Sequence, residues 1–219
     1  MSLNRLLDGY HAFIEDGFAT NADRYRQLEA LGQSPSTMII ACADSRVDPA
    51  TIFNAGPGEL FVIRNVANVV PSYAPDGRAH GVSAALEFAV KVLQVSDIVV
   101  LGHAQCGGVK ALLMDEKNTD GIGEFVAPWM ASSRGILDRV MGHSAGHDVE
   151  TILGRMEEEN IRLGLTNLKT FPWIAEPVEA GRIALHGMHF GIAEGRLARL
   201  DPETDTFVTV GTGAAALQG

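Results

Sequence analysis

Three short apolar runs set what this chain can become: "TMIIAC" from Thr37, "ELFVIRN" from Glu59 and "SDIVVLGH" from Ser96. The third is apolar almost throughout rather than alternating. That is the pattern of a strand covered on both faces at the centre of a parallel sheet. Parallel neighbours need a crossover, and helical patterns stand between the runs. "DPATIF" opens a helix with Asp48 as N-cap and Pro49 in the first position. "HGVSAALEFAVKVLQV" carries an apolar helical stripe, and "GGVKALLMD" follows a glycine-rich turn. Residues 124–142 and 148–170 are helical in pattern, with Pro172 stopping the second. "GRIALHGMHF" reads as a strand and "GRLARLDPETDTFVTV" as a polar-edged hairpin. The fold class expected is α/β, a mainly parallel central sheet flanked by helices.

Ahead of the first strand, Leu6, Leu7, Tyr10, Phe13, Ile14 and Phe18 keep helical spacing, and a second helical stretch runs from Asp23 to Leu31. The chain therefore divides into an N-terminal helical arm, residues 1–32, suited to dimerisation, and a single α/β domain, residues 33–219. The net charge is -10, so a generic nucleic-acid or anionic-membrane partner is not expected. No apolar run approaches transmembrane length, and Asp8, Gly9 and His11 interrupt what would be a secretory core. The compartment expected is the cytoplasm, where the two cysteines, Cys42 and Cys106, would not form a disulfide staple.

In open parallel sheets, ligands gather beyond the carboxyl ends of the strands. Cys42 ends one predicted strand, His103 ends another, and Cys106 follows three residues on. Neighbouring strands would bring the three to one rim. Two thiolates and one imidazole suit zinc, and three protein ligands leave the fourth tetrahedral position open, as catalytic rather than structural sites do. Gly102, Gly107 and Gly108 would let the turn be tight, and Cys106 would open a helix whose positive end favours its thiolate. Zinc with two thiolates and a neutral histidine is formally neutral. Its water should ionise less readily than the ~7 of all-histidine sites. Activity should therefore rise above neutral, and a flat profile from about pH 6.5 to about 9 would contradict this. Asp44 and Arg46, on one face of an extended chain, could form a pair that accepts the proton of the metal-bound group.

"CADSR" followed by "HAQC" and then "GG" resembles the β-class carbonic anhydrases, whose pattern is C-x-D-x-R … H-x-x-C-G-G. "ELFVIRNVANVVP" and "IALHGMHF" are similar to the family's intervening segment and late strand, so the likeness runs from about Gln33 to Phe190. The resemblance implies that Cys42, His103 and Cys106 hold one zinc per chain and that Asp44 and Arg46 are the catalytic dyad. It implies that Gly107 turns its backbone N–H to substrate, that Gln33 reaches across a dimer to the neighbouring site, and that Phe61, Val66 and Phe88 line the pocket. Plant-like members tend to carry Tyr at the Phe88 position. A second subtype has a regulatory bicarbonate site of Trp, Arg and Tyr. Ile39 and Phe190 replace two of these and Arg64 alone remains, so the open, plant-like form is expected. The reaction implied is reversible hydration of carbon dioxide to bicarbonate and a proton by zinc-bound hydroxide, with Asp44 orienting the hydroxide and Arg46 holding Asp44. The family implies a homodimer at the least, with tetramers or larger assemblies left open.

Three other readings stand beside it: hydrolysis of carbon disulfide or carbonyl sulfide on the same ligands, a zinc-stabilised scaffold or CO₂/bicarbonate sensor, and a cysteine-nucleophile enzyme that would survive chelation. His80 reads as a surface helix cap rather than a proton shuttle. His143 and His147 read as a solvated loop, "MEEEN" at 156–160 as a solvated helix face, and Trp129 and Trp173 as core or interface aromatics.

Overall fold

The computed structural model describes residues 1–115, 123–142 and 146–213. The chain opens with α1 (Leu3–Ala12), a π-helical segment Phe13–Phe18 and α2 (Ala19–Leu31). These form one continuous helical run rather than two separate stretches. β1 (Thr37–Cys42), α3 (Pro49–Ile52), β2 (Leu60–Asn65) and α4 (Gly81–Glu87) follow, and α4 continues as a π-helical segment, Phe88–Val92. Next come β3 (Asp97–His103), α5 (Gly107–Asp115), α6 (Val126–Ala131), α7 (Gly135–Met141) and α8 (Val149–Leu168). The last elements are α9 (Pro172–Glu179), β4 (Ala184–Gly191), β5 (Arg196–Asp201) and β6 (Thr206–Gly211). The helix expected over 124–142 is thus two helices, and Pro172 does more than stop α8, because it takes the first turn of α9.

Local chemistry explains several boundaries. The Asp48 carboxylate accepts from Thr51 N at 2.9 Å to cap α3, and Asp148 does the same from Thr151 N at 2.7 Å for α8. β2, β1, β3 and β4 are neighbours in that order and run parallel, and β5 and β6 extend the sheet antiparallel. Cys42 lies opposite Asn65, and His103 opposite Phe190. Because β1 and β3 are adjacent and parallel, Cys42 and His103 emerge at the same rim.

The two faces of β1 explain its unbroken apolar run. Met38 and Ile40 join a core with Leu86, Ile98, Val100, Ile161, Leu168 and Phe171. Ile39 and Ala41 join a second core with Val47, Val99 and Leu101. Ile161 of α8 is fully buried and closes over the sheet where a Cβ on Gly102 or Gly187 would lie 2.7 or 2.8 Å from it. Ile161→Ala is expected to lower stability by about 2–5 kcal/mol through lost burial and an unfilled cavity, read as an earlier denaturant midpoint. An unchanged midpoint would mean the sheet–helix contact collapses without a cavity.

The arm differs from the rest of the chain. α1 and α2 bury no residue, and Leu3, Leu6, Leu7 and Tyr10 are more than half exposed. Arg24 Nε, which donates to Pro57 O at 3.2 Å, is one tie to the domain.

Candidate metal centre

β1, β3 and the turn into α5 each deliver one side chain. Cys42, His103 and Cys106 are all buried, and their ligand atoms lie within 4.8 Å of one another. The two Sγ atoms are 3.9 Å apart. His103 Nδ1 lies 2.9 Å from Ala104 O and so carries the proton it donates there, which leaves Nε2 bare. Nε2 is buried and has no hydrogen-bond partner. A polar atom orphaned in a core costs about 1–3 kcal/mol unless something else satisfies it. An imidazole lone pair facing two sulfurs is the donor set of a zinc ion. Among the described residues, this is the group of His, Cys, Asp and Glu side chains that could hold a metal ion.

Two thiolates 3.9 Å apart would repel, so ionisation of one sulfur opposes ionisation of the other. The contact with Cys106 lowers the pKa of Cys42 to about 4. The same contact, together with burial, pushes Cys106 far up. Because ionisation of Cys42 disfavours that of Cys106, a cation that takes both sulfurs as thiolates must displace the proton the pair still holds. Zinc uptake by metal-free protein should release about one proton from this pair, measurable by calorimetry in buffers of different ionisation enthalpy. Affinity should accordingly rise about tenfold per pH unit while Cys106 is protonated. Uptake without proton release would show that both thiolates are already formed.

Asp44 and Arg46 do meet, though not as alternating residues of a strand. The chain turns after Cys42, and Asp44 Oδ1 accepts from the backbone N of Arg46 at 2.9 Å. The guanidinium then binds both carboxylate oxygens, Nε to Oδ1 at 2.9 Å and Nη2 to Oδ2 at 2.7 Å. Hydrogen bonds from Arg46 hold the Asp44 carboxyl well below the usual carboxylate range. Its Oδ2 lies 3.9 Å from His103 Nε2, at the edge of the cluster. Arg64 ties this turn to the sheet, donating to Cys42 O at 2.9 Å, Asp44 O at 2.6 Å and Val47 O at 2.9 Å. Ile39 is buried in the sheet, and Phe190 sits beside His103 in register.

The expected glycine-built turn is only partly so. None of Gly102, Gly107 and Gly108 has positive φ; Gln105 does, at 56°. Gly108 serves close approach instead, since a Cβ there would lie 2.9 Å from both Ala67 Cβ and Val66 Cγ1. A Cβ on Gly107 would meet nothing within 4 Å. Gly107 directly follows Cys106, and Val66 lies against Gly108, two residues on from Cys106. Phe61 and Phe88 do not adjoin the cluster within one chain. They stack on each other at 5.8 Å, and Phe61 pairs with Met38, four residues before Cys42. At about 3.3 Å per residue, that is roughly 13 Å down the strand. Gln33, exposed and ahead of β1, is likewise at the amino end. Spacing in sequence does not say whether a residue serves its own site or another copy's.

Two expectations fail on contact with the fold. His80 occupies the N-cap position of α4 but its side chain does not cap; its Nε2 lies 2.6 Å from Asp76 Oδ1. "MEEEN" is not a solvated face, because Met156, Glu157 and Asn160 are buried. Glu157 accepts from Cys106 N at 2.9 Å, and Asn160 donates to Ala67 O at 2.8 Å. The signal was present: Leu153, Glu157, Ile161, Gly164 and Leu168 fall on one helical stripe, so Glu157 had to face inward. Trp129 donates to Val66 O at 2.9 Å, and Lys91 Nζ sits 5.3 Å above Trp173. His147 is exposed, and His143 lies outside the described residues.

A sequence profile described as carbonic anhydrase matches residues 37–197. The chain is 37% identical to a carbonic anhydrase of Pseudomonas aeruginosa over 210 residues, 94% of this chain and 90% of that protein. Identity to β carbonic anhydrase 3 of Arabidopsis thaliana is 35% over 196 residues, 89% of this chain and 75% of that protein. The solved β-carbonic anhydrase CcaA matches with a TM-score of 0.89 at 33% identity, covering 94% of this chain and 98% of that one. One of two tetrameric β-carbonic anhydrases from Sordaria macrospora matches with a TM-score of 0.78 at 29% identity, covering 90% and 95%.

Proposed function

The chain belongs to the β-class carbonic anhydrases, and from that premise we propose that it catalyses the reversible hydration of carbon dioxide to bicarbonate at one zinc ion per chain, held by Cys42, His103 and Cys106. The observation that carries this reading is the unpartnered, buried Nε2 of His103 facing two sulfurs, with an ionised carboxylate fixed at its edge. Zinc there would supply a Lewis acid that makes water a nucleophile at moderate pH.

The chain's own residues do the rest. Asp44 stays ionised across the neutral range, so Oδ2 acts as a hydrogen-bond acceptor and orients the reacting water. Arg46 removes rotational freedom from that carboxylate by binding both oxygens. Because Asp44 titrates far below neutral, the expected alkaline rise in activity would not come from it. The engagement of Asp44 by Arg46 and of Arg64 by the Cys42–Val47 turn supports the open, plant-like form. Val66 and the Gly107 N–H form the near wall of the pocket in this reading.

The far wall comes from a second copy. Gln33, Phe61 and Phe88 are distant from their own cluster, and the arm of residues 1–32 exposes an apolar stripe that a dimer would cover. We read the chain as a homodimer at the least, with residues 33–219 as the single zinc-enzyme domain. No helix among the described residues is long and apolar enough to cross a membrane. A cytoplasmic setting suits two unpaired buried cysteines.

Stopped-flow CO₂ hydration, with zinc quantified on the same sample, tests the reading. Rapid turnover with about one zinc per chain is expected. Full zinc without turnover would sink the CO₂ assignment and send the pocket to carbon disulfide or carbonyl sulfide. Turnover that survives complete zinc removal would point to a cysteine nucleophile instead.

A further inference from the structure

Glu157 and His189 have no part in the proposed reaction, yet both are ionisable side chains buried to 3% and 5% exposure. Glu157 sits on the inward stripe of α8, and His189 on β4 opposite Gly102. A carboxylate in such a place is costly unless its oxygens are satisfied. They are: Oε1 accepts from Cys106 N at 2.9 Å, and Oε2 lies 3.2 Å from His189 Nε2. The other nitrogen of His189, Nδ1, is buried without a partner. The ring therefore spends its hydrogen bonding on Glu157.

On the opposite side of the same turn, Arg46 Nη2 donates to Gln105 O at 3.0 Å. Gln105 C=O and Cys106 N–H belong to one peptide unit. In a trans peptide they point in opposite directions, and no cis bond is present among the described residues. One planar unit is thus gripped from the open side by the dyad arginine and from the core side by a buried carboxylate. It needs gripping, because Gln105 holds a φ of 56°, a region that non-glycine residues seldom enter.

We propose that Glu157, oriented by His189, is a positioning residue that locks the Gln105–Cys106 peptide from behind, holding the Cys106 ligand and the Asp44–Arg46 pair in a single register. The inference rests on the reading that Cys42, His103 and Cys106 hold zinc. It assigns the pair a task that an apolar side chain on the same stripe could not perform, since the Cys106 N–H would then have no acceptor.

The test uses the full chain as wild type, E157A, E157Q and H189A, each checked for fold by circular dichroism. Zinc affinity is read by competition with a chromogenic chelator. The cobalt-substituted proteins report thiolate geometry through their sulfur-to-metal charge-transfer band. E157A should lose about 10–100-fold in zinc affinity and shift the cobalt band. E157Q keeps an acceptor for the Cys106 N–H, and its NH₂ then faces His189, whose ring accepts at Nε2 with its own proton on Nδ1. It should restore affinity to within about threefold of wild type. H189A should fall between the two. Wild-type affinity and band in E157A would overturn the proposal, as would E157Q impaired as badly as E157A. If E157A does not fold, H189A decides: a measurable loss supports the clamp, and wild-type behaviour removes it. Zinc-binding wild type with unaffected variants overturns the pair alone. Wild type that takes up no zinc overturns the metal-centre reading and this inference with it.

Discussion

Cys42→Ala should leave a folded protein without zinc and without CO₂ hydration above background. The side chain is small, its strand is hydrogen-bonded to a neighbour along each edge, and Ile39, Ile40 and Ala41 keep the core intact. What disappears is the sulfur 3.9 Å from Cys106 Sγ at one corner of the cluster. With two protein ligands left, the site cannot compete with water and buffer for the ion, so metal content should drop from about one per chain to near zero. Metal analysis and stopped-flow on one sample check this, with circular dichroism to show that the sheet survives. A variant that keeps stoichiometric zinc and wild-type turnover would remove Cys42 from the metal centre. The three-residue reading would then fail.

Asp44→Asn tests the other half of the site and should separate chemistry from metal binding. The amide is the same size, and Asp44 is not among the three buried residues of the Cys42–His103–Cys106 cluster, so zinc should stay. The carboxylate, however, offers acceptors only, and an amide beside Arg46 must turn its oxygen to the guanidinium and its NH₂ toward the cluster. A donor then stands where the reaction needs an acceptor. Loss of a positioned proton acceptor typically costs about 10²–10⁴ in rate. The expected result is a fall in kcat of that order with zinc unchanged and KM little moved. Near-wild-type kcat would show that the dyad is an ordinary ion pair. Loss of zinc in this variant would instead make Asp44 part of the binding shell.

The two variants fail in different ways because one residue ends the strand and the other lies in the turn that follows it. Cys42 is the last residue of β1, where sheet hydrogen bonds still fix the backbone. Asp44 stands beyond the strand, and its place is set by side chains: its own contact with the Arg46 backbone, the guanidinium of Arg46, and Arg64 bracing three carbonyls. Those braces are also why the turn could be misread as extended. Local spacing in "CADSR" fits alternation, but Asp44 bonds to the backbone two residues on, which bends the chain.

Much was decided by the sequence alone. Apolar runs of strand length with helical crossovers between them permit little besides a parallel sheet, and parallel strands carry their carboxyl ends to one rim. Cys42 and His103 each close such a run, so their meeting follows from topology, and Cys106 comes with the turn. The cap at Asp48 is local chemistry and is legible from its Pro49 neighbour. Tertiary structure alone decided whatever depends on a partner far along the chain. The stripe of α8 turns Glu157 inward, but only the packed sheet decides that it meets an amide 51 residues away in sequence. Phe61 and Phe88 are pocket residues by the family resemblance, yet the strand's rise carries Phe61, with Phe88 stacked on it, to the opposite end from their own cluster. The physical reason is one of range. Hydrophobic periodicity and caps act within a few residues and leave their mark in the sequence. A buried hydrogen bond or a shared pocket acts between segments whose approach is set by the packing of the whole sheet.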